Sequence, residues 1–189
     1  MRRIASFLVA APVAGALVFS AAPVSAAPTA PVAAAAVAKS AADPFSTFDV
    51  KLTATKKAKR GGKVRYTITA VNTGPHEATA GTWFVGGLFP KGVDLRKVTY
   101  RTSVDDTACE LIKRDLFCVL PATVKKGESI AMVFDARLTK TASGTQKAVL
   151  GVVSYNVETG MENLSKEELD RLGVPGFGFV KQARTTVVR

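Results

Sequence analysis

Tyr66-Thr67-Ile68-Thr69-Ala70-Val71-Asn72-Thr73-Gly74-Pro75 alternates strictly in polarity and then runs into turn residues. Tyr66, Ile68 and Ala70 fall on one face, Arg65, Thr67 and Thr69 on the other, as a half-buried strand requires. Asn72, Gly74 and Pro75 are expected to stop it: Gly supplies positive φ, Pro fixes φ, and Asn bonds its own backbone. Flanked by segments of the same kind, the stretch reads as one layer of a sandwich.

Working outward, Phe48, Val50 and Leu52 alternate with Asp49, Lys51 and Thr53 in a first strand, and Gly61-Gly62 turns the chain within 56–63. Residues 64–72 return. A third strand over 78–85 carries Trp83, broken by Gly86-Gly87 and by Pro90-Lys91-Gly92, and 93–102 makes a fourth. Ile130, Met132, Phe134, Ala136 and Leu138 alternate with Ser129, Ala131, Val133, Asp135 and Arg137. Segments 147–157 and 180–188 follow. Turn signals every ten residues or so predict an all-β antiparallel β-sandwich of about seven to nine strands. One helix is expected, at 166–172 in a late connection. Ser165-Lys166-Glu167-Glu168 is a capping box, Leu164 and Leu169 suit a hydrophobic staple, and Gly173 and Pro175 end the turn. It is either surface decoration or a lid over a groove.

The first 26 residues have the form of a secretory signal: a basic start at Arg2-Arg3, an apolar run over 4–19, and small residues at Val24-Ser25-Ala26. Pro12 and Gly15 interrupt a run shorter than the roughly 20 apolar residues a membrane span needs. No Cys follows for lipid attachment, and no later run is long enough for a transmembrane anchor. Residues 27–47, rich in Ala and Pro, read as a disordered linker, and 48–189 as one domain. The chain's formal charge is +11; without Arg2 and Arg3 it is +9. That excess bears on partners and solubility, not on fold. A secreted protein, extracellular or associated with the cell wall, is the expectation.

Cys109 and Cys118 flank eight residues. With Lys113-Arg114 as a two-residue hairpin loop, 112 pairs with 115, 111 with 116, 110 with 117, and the cysteines face each other. A longer loop keeping the same pairing stays open, since neither loop residue is the favoured Gly or Asn. In an oxidising compartment a disulfide follows. A redox pair normally has two intervening residues, and a zinc site needs four ligands.

The residues offer no reaction. The single histidine, His76, lies in a Pro75-His76-Glu77 turn and no Ser sits in a nucleophile elbow. Asp105-Asp106 and Glu167-Glu168 are adjacent carboxylates whose side chains point apart. Gly61-Gly62 lacks the Gly-Lys-Ser/Thr ending of a phosphate loop. No enzyme activity, metal or cofactor is expected.

Tyr66-Thr67-Ile68-Thr69 with Asn72-Thr73-Gly74-Pro75, Leu88-Phe89-Pro90-Lys91-Gly92-Val93, Cys109 with Cys118, and Leu120-Pro121 leading to Lys126-Gly127-Glu128 resemble one family. It is the immunoglobulin-like "conserved repeat" domain of bacterial surface and secreted proteins, the domain of unknown function numbered eleven. The resemblance spans about residues 48–157 and implies a seven-stranded sandwich serving as a stalk or adhesive module. This chain departs from it in holding a single copy, in lacking a wall-sorting tail, and in an insert at 158–176.

If every strand reverses direction, the loops at 56–63, 86–92, 113–114 and 139–147 share one pole. They carry Lys56, Lys57, Lys59, Arg60, Lys63, Lys91, Lys113, Arg114, Lys140 and Lys147. Such a pole suits an anionic cell-wall polymer, an anionic polysaccharide or phospholipid headgroups, or is simply a solvated basic end. Nucleic acid is not expected, because aromatic residues are not interleaved with these cations. Two roles emerge. One is a non-catalytic interaction module of the cell envelope. The other is a secreted effector or inhibitor that engages a surface protein through an edge strand or the 158–176 insert. The sequence leaves the oligomeric state open.

Overall fold

In a computed structural model of the chain, the described residues are 43–189 except 159 and 162. The expected signal and residues 27–42 of the expected linker lie outside them. Ten strands and one helix follow in order: β1 (Ser46–Ala54), β2 (Lys57–Lys59), β3 (Lys63–Pro75), β4 (Trp83–Leu88), β5 (Val93–Thr102), β6 (Ala108–Ile112), β7 (Asp115–Val119), β8 (Ser129–Leu138), β9 (Thr145–Tyr155), α1 (Lys166–Leu172) and β10 (Gly176–Val188). They form a four-stranded sheet, β1-β3-β8-β5, and a six-stranded sheet, β2-β10-β9-β4-β7-β6. The protein is a two-layered β-sandwich of the immunoglobulin-like type.

Alternation builds the core. Val64, Tyr66, Ile68 and Ala70 of β3 and Met132, Phe134 and Ala136 of β8 point inward from one sheet. Trp83, Val85, Cys118, Leu150 and Val152 meet them from the other. Trp83 is fully buried, stacks against Phe48 at a centroid distance of 6.0 Å, and donates its indole N–H to the Ala122 carbonyl at 3.0 Å. A buried indole needs that acceptor, or its desolvation goes uncompensated.

Four sequence expectations change. First, β3 does not stop at Asn72. Its ladder with β1 runs on to Pro75 opposite Ser46, across an irregularity between Thr47 and Phe48. Asn72 does bond locally, but from inside the strand. Its buried amide donates to the His76 and Val124 carbonyls and accepts from the Gly74 N–H, so the bulged ladder keeps its hydrogen bonds.

Second, the third strand is displaced from 78–85 to Trp83–Leu88, and Ala78 makes only an isolated bridge with Val124. Gly86-Gly87 continue the ladder instead of breaking it, pairing with both β7 and β9. Gly87 has φ 136°, and a Cβ there would stand 2.1 Å from the Val149 carbonyl oxygen. Glycine here permits close strand approach.

Third, the connection at 56–63 contains β2, which pairs in parallel with Thr186–Val188. The chain therefore crosses to the second sheet and back before β3, and one ladder is parallel. Such a short non-local pairing has no signature in local periodicity. Fourth, the domain starts before residue 48. Asn156 accepts from the Phe45 N–H and donates to the Asp43 carbonyl, both at 2.8 Å, tying the entry of β1 to the end of β9.

Candidate functional site

The four basic loops are hydrogen-bonded neighbours. The Gly61 N–H donates to Thr139 O and the Leu138 N–H to Gly62 O, joining 56–63 to 139–147. The Thr139 N–H donates to Gly92 O, and the Phe89 N–H to Arg114 O, adding 86–92 and the 113–114 hairpin. Nine of the ten sequence-nominated cations are exposed: Lys56, Lys57, Lys59, Arg60, Lys63, Lys91, Lys113, Lys140 and Lys147. Arg114 is half-buried, and its guanidinium donates to the Phe89 carbonyl at 3.1 Å. It holds two loops together, so its charge is less available than the others'. Among the described residues, none of the ten enters an ion pair.

Four further cations belong to the same end and were not singled out from sequence. On the outer face of the four-stranded sheet, Asp135 accepts from Arg65 Nε at 2.7 Å and Nη2 at 3.2 Å, and from Arg101 Nη2 at 2.7 Å. The Arg65 hydrogen bond holds the Asp135 carboxyl below the usual carboxylate range. Arg137 and Lys97 stand beside them, with Lys63 of the pole, around a shallow depression of about 380 Å³. The outward alternation of Lys63 and Arg65, and of Asp135 and Arg137, was visible in the sequence. That β3, β8 and β5 lie side by side was not.

A second surface lies on the outer face of the six-stranded sheet. Ile112, Val180, Leu88 and Val119 project there and are 53%, 42%, 40% and 39% exposed. Helix α1 packs on part of this face. Leu169 of α1 is completely buried against Phe84 and Tyr155, with Leu164, Val157 and Val174 around it. The capping box forms as expected: Ser165 Oγ accepts from the Glu168 N–H, and the Glu168 carboxylate accepts from the Ser165 N–H at 3.0 Å. That backbone bond holds the Glu168 carboxyl below its ordinary range. The Tyr155 hydroxyl donates to Asp170 at 2.9 Å; burial first, and this bond second, push its pKa up to about 12. Between the insert and strands β4, β7 and β6 runs a groove of about 970 Å³ with Phe84, Phe117 and Val119 on its floor and Leu164 and Glu168 on its wall. The helix thus packs on the sheet and flanks a groove.

Cys109 and Cys118 are disulfide-bonded, directly opposite each other on β6 and β7, with Lys113-Arg114 as the two-residue loop. Lys113 takes φ 58°, which supplies the left-handed conformation that Gly or Asn would otherwise give. β6 is an edge of its sheet, so the bond pins an edge strand. His76 is exposed and sits edge-on to Phe45 with ring centroids 6.3 Å apart. Asp105 and Asp106 are exposed in a turn, and Glu168 is committed to the helix cap. Among the described residues no three His, Cys, Asp or Glu side chains group together as a metal site would need. Among the same residues no helix is long and apolar enough to cross a membrane.

No family model and no curated protein sequence matches the chain. Among solved structures it is similar to a cohesin module of a family 33 glycoside hydrolase from Clostridium perfringens, at 8% identity and a TM-score of 0.45, covering 77% of this chain and 98% of that one. A non-cellulosomal cohesin from the archaeon Archaeoglobus fulgidus is similar at 9% identity and a TM-score of 0.43, covering 75% of this chain and 92% of that one. An exo-β-N-acetylglucosaminidase from Vibrio harveyi is similar at 10% identity and a TM-score of 0.39; 75% of this chain spans 18% of that enzyme. The likeness is one of two-sheet architecture.

Proposed function

We propose that this domain is a non-catalytic interaction module that acts outside the cell and associates with an anionic polymer of the envelope through its basic pole. The observation that carries this reading is the joining of four loops into one end bearing ten basic residues, none of which enters an ion pair among the described residues. Closely spaced exposed cations repel one another, and a polyanion relieves that repulsion along its length. The disulfide is consistent with an oxidising compartment, as is the expected signal. The resemblance to the conserved repeat domain of bacterial surface proteins belongs to the same reading.

The test is retention of the purified protein on cell wall. Moderate salt should release it, because screening shortens the reach of exposed charges. Charge reversal at Lys56, Lys57, Lys59 and Arg60 should abolish retention. Binding that resists both treatments refutes the reading.

A second reading, engagement of a protein partner, is supported by the apolar outer face of the six-stranded sheet beside the β6 edge. Leu88, Ile112, Val119 and Val180 leave apolar surface exposed at several points of that face, and the groove beside the helix adds Phe84 and Phe117 to it. In this case Ile112→Glu loses a partner that the pole variant keeps.

A further inference from the structure

We propose that the outer face of the four-stranded sheet holds a phosphate-binding site, built by Lys63, Arg65, Lys97, Arg101 and Arg137 around Asp135. The proposal rests on the polyanion reading of the pole and narrows it. The group recognised is the tetrahedral phosphate of a phosphodiester polymer or of a lipid headgroup.

Register assembles the site. Lys63 faces Arg137 across β3 and β8, and two residues along the same strands Arg65 faces Asp135. β5 brings Thr99 opposite Asp135 and Arg101 opposite Val133. Its ladder shifts between Asp94 and Thr99, which releases Lys97 from the pairing to line the depression. Five cations and one carboxylate surround a space of about 380 Å³, so the lining carries a net charge of +4 (five minus one). That volume lies in the range of small-ligand sites.

Asp135 orients the cations more than it neutralises them. One carboxylate grips two guanidiniums, Arg65 through two N–H groups and Arg101 through one. A guanidinium has five N–H groups, so about three on Arg65 and four on Arg101 remain, on side chains whose entropy is already reduced. Lys63 and Arg137 enter no ion pair among the described residues, and Lys97 reaches only Asp94, at 3.4 Å. A second carboxylate would offer two coplanar oxygens and suit one fork. A phosphate presents oxygens in several directions and satisfies forks arriving from different strands. Lys63 belongs to both the depression and the pole, so consecutive phosphates on one polymer can occupy both.

The test uses the whole secreted chain, isotopically labelled, with inorganic phosphate as the first probe. Phosphate should shift the Arg65 Nε–H resonance in the wild type and in the Lys56, Lys57, Lys59 and Arg60 charge-reversed protein. It should not do so in the Arg101→Ala, Arg137→Ala double variant. These side chains are exposed, and an unchanged circular dichroism spectrum verifies the fold. Poly(glycerol phosphate) should bind the double variant at least about tenfold more weakly than wild type. Vesicles containing phosphatidylglycerol, run alongside the soluble polymer, decide which source of phosphate is preferred. An Arg65 resonance indifferent to phosphate, or shifting equally in the double variant, overturns the site. Polymer binding lost only on charge reversal of the pole also overturns it while leaving the pole reading intact. Phosphate shifts without any polymer or wall binding support the site and remove the pole reading.

Discussion

Replacing Leu169 by Ala should free the helical insert from the sheet without unfolding the sandwich. α1 has seven residues, well under the roughly 12–15 at which an isolated helix becomes even marginal in water, so it persists because it is docked. Leu169 is its one fully buried side chain, lodged against Phe84 and Tyr155. Truncating a buried leucine costs about 2–5 kcal/mol. The local contributions left to oppose that loss are small. The capping box adds about 1 kcal/mol, the Tyr155–Asp170 hydrogen bond to β9 about 1 kcal/mol, and the exposed Lys166–Asp170 pair a few tenths. The eleven-pair β9–β10 ladder that brackets the insert does not depend on Leu169. A deficit near 3 kcal/mol corresponds to roughly a hundredfold rise in the open population of the insert, read by hydrogen exchange. Amides over 166–173 should lose protection by about that factor, those of β8 and β9 should keep theirs, and the unfolding midpoint should move little. Leu172, half exposed, is the control: Leu172→Ala should leave exchange unchanged. Unaltered protection in Leu169→Ala, or equal losses over helix and strands, would refute the argument that the insert is a separately docked unit.

Removing the disulfide with Cys109→Ser and Cys118→Ser should lower stability by about 2.7 kcal/mol from loop entropy alone, seen as a lower denaturant midpoint; no change would mean the unfolded chain is already constrained there. Alkaline titration should destabilise the domain between pH 10 and 12. Burial raises the Tyr66 and Tyr155 hydroxyls to about 12, so the unfolded chain loses these protons first and the stability held below pH 10 drains away as pH climbs. Tyr66 alone accounts for about 2–3 kcal/mol of that fall. Tyr66→Phe should abolish this share of the pH dependence and leave that of Tyr155 in place. Gly87→Ala places a Cβ against the Val149 carbonyl at a positive φ and should cost at least about 2 kcal/mol in thermal or chemical denaturation; a neutral result would contradict the close approach of β4 and β9.

Local patterns in the chain were sufficient for much of this. The alternation from Arg65 to Ala70 marks a strand with a buried face, and the cysteine spacing around Lys113-Arg114 sets a hairpin register, because both depend on neighbours within a few residues. Ser165 and Glu168 likewise announce a helix start through contacts three residues apart. Strand reversal alone suggests that the four loops lie near one another, and backbone hydrogen bonds do join them although β2 interrupts that simple order. Other features needed the packed molecule. β2 exists because distant β10 supplies its partner, and Gly86-Gly87 lie within a strand because β9 and β7 flank them, which no local signal encodes. Arg65, Arg101, Arg137 and Lys97 looked like scattered surface charge until the order β3-β8-β5 set them side by side around Asp135. Periodicity tells which way a side chain points, since the backbone dictates that residue by residue. Which other side chains it meets depends on the pairing of strands far apart in sequence, and that is decided only when the two sheets close over a common core.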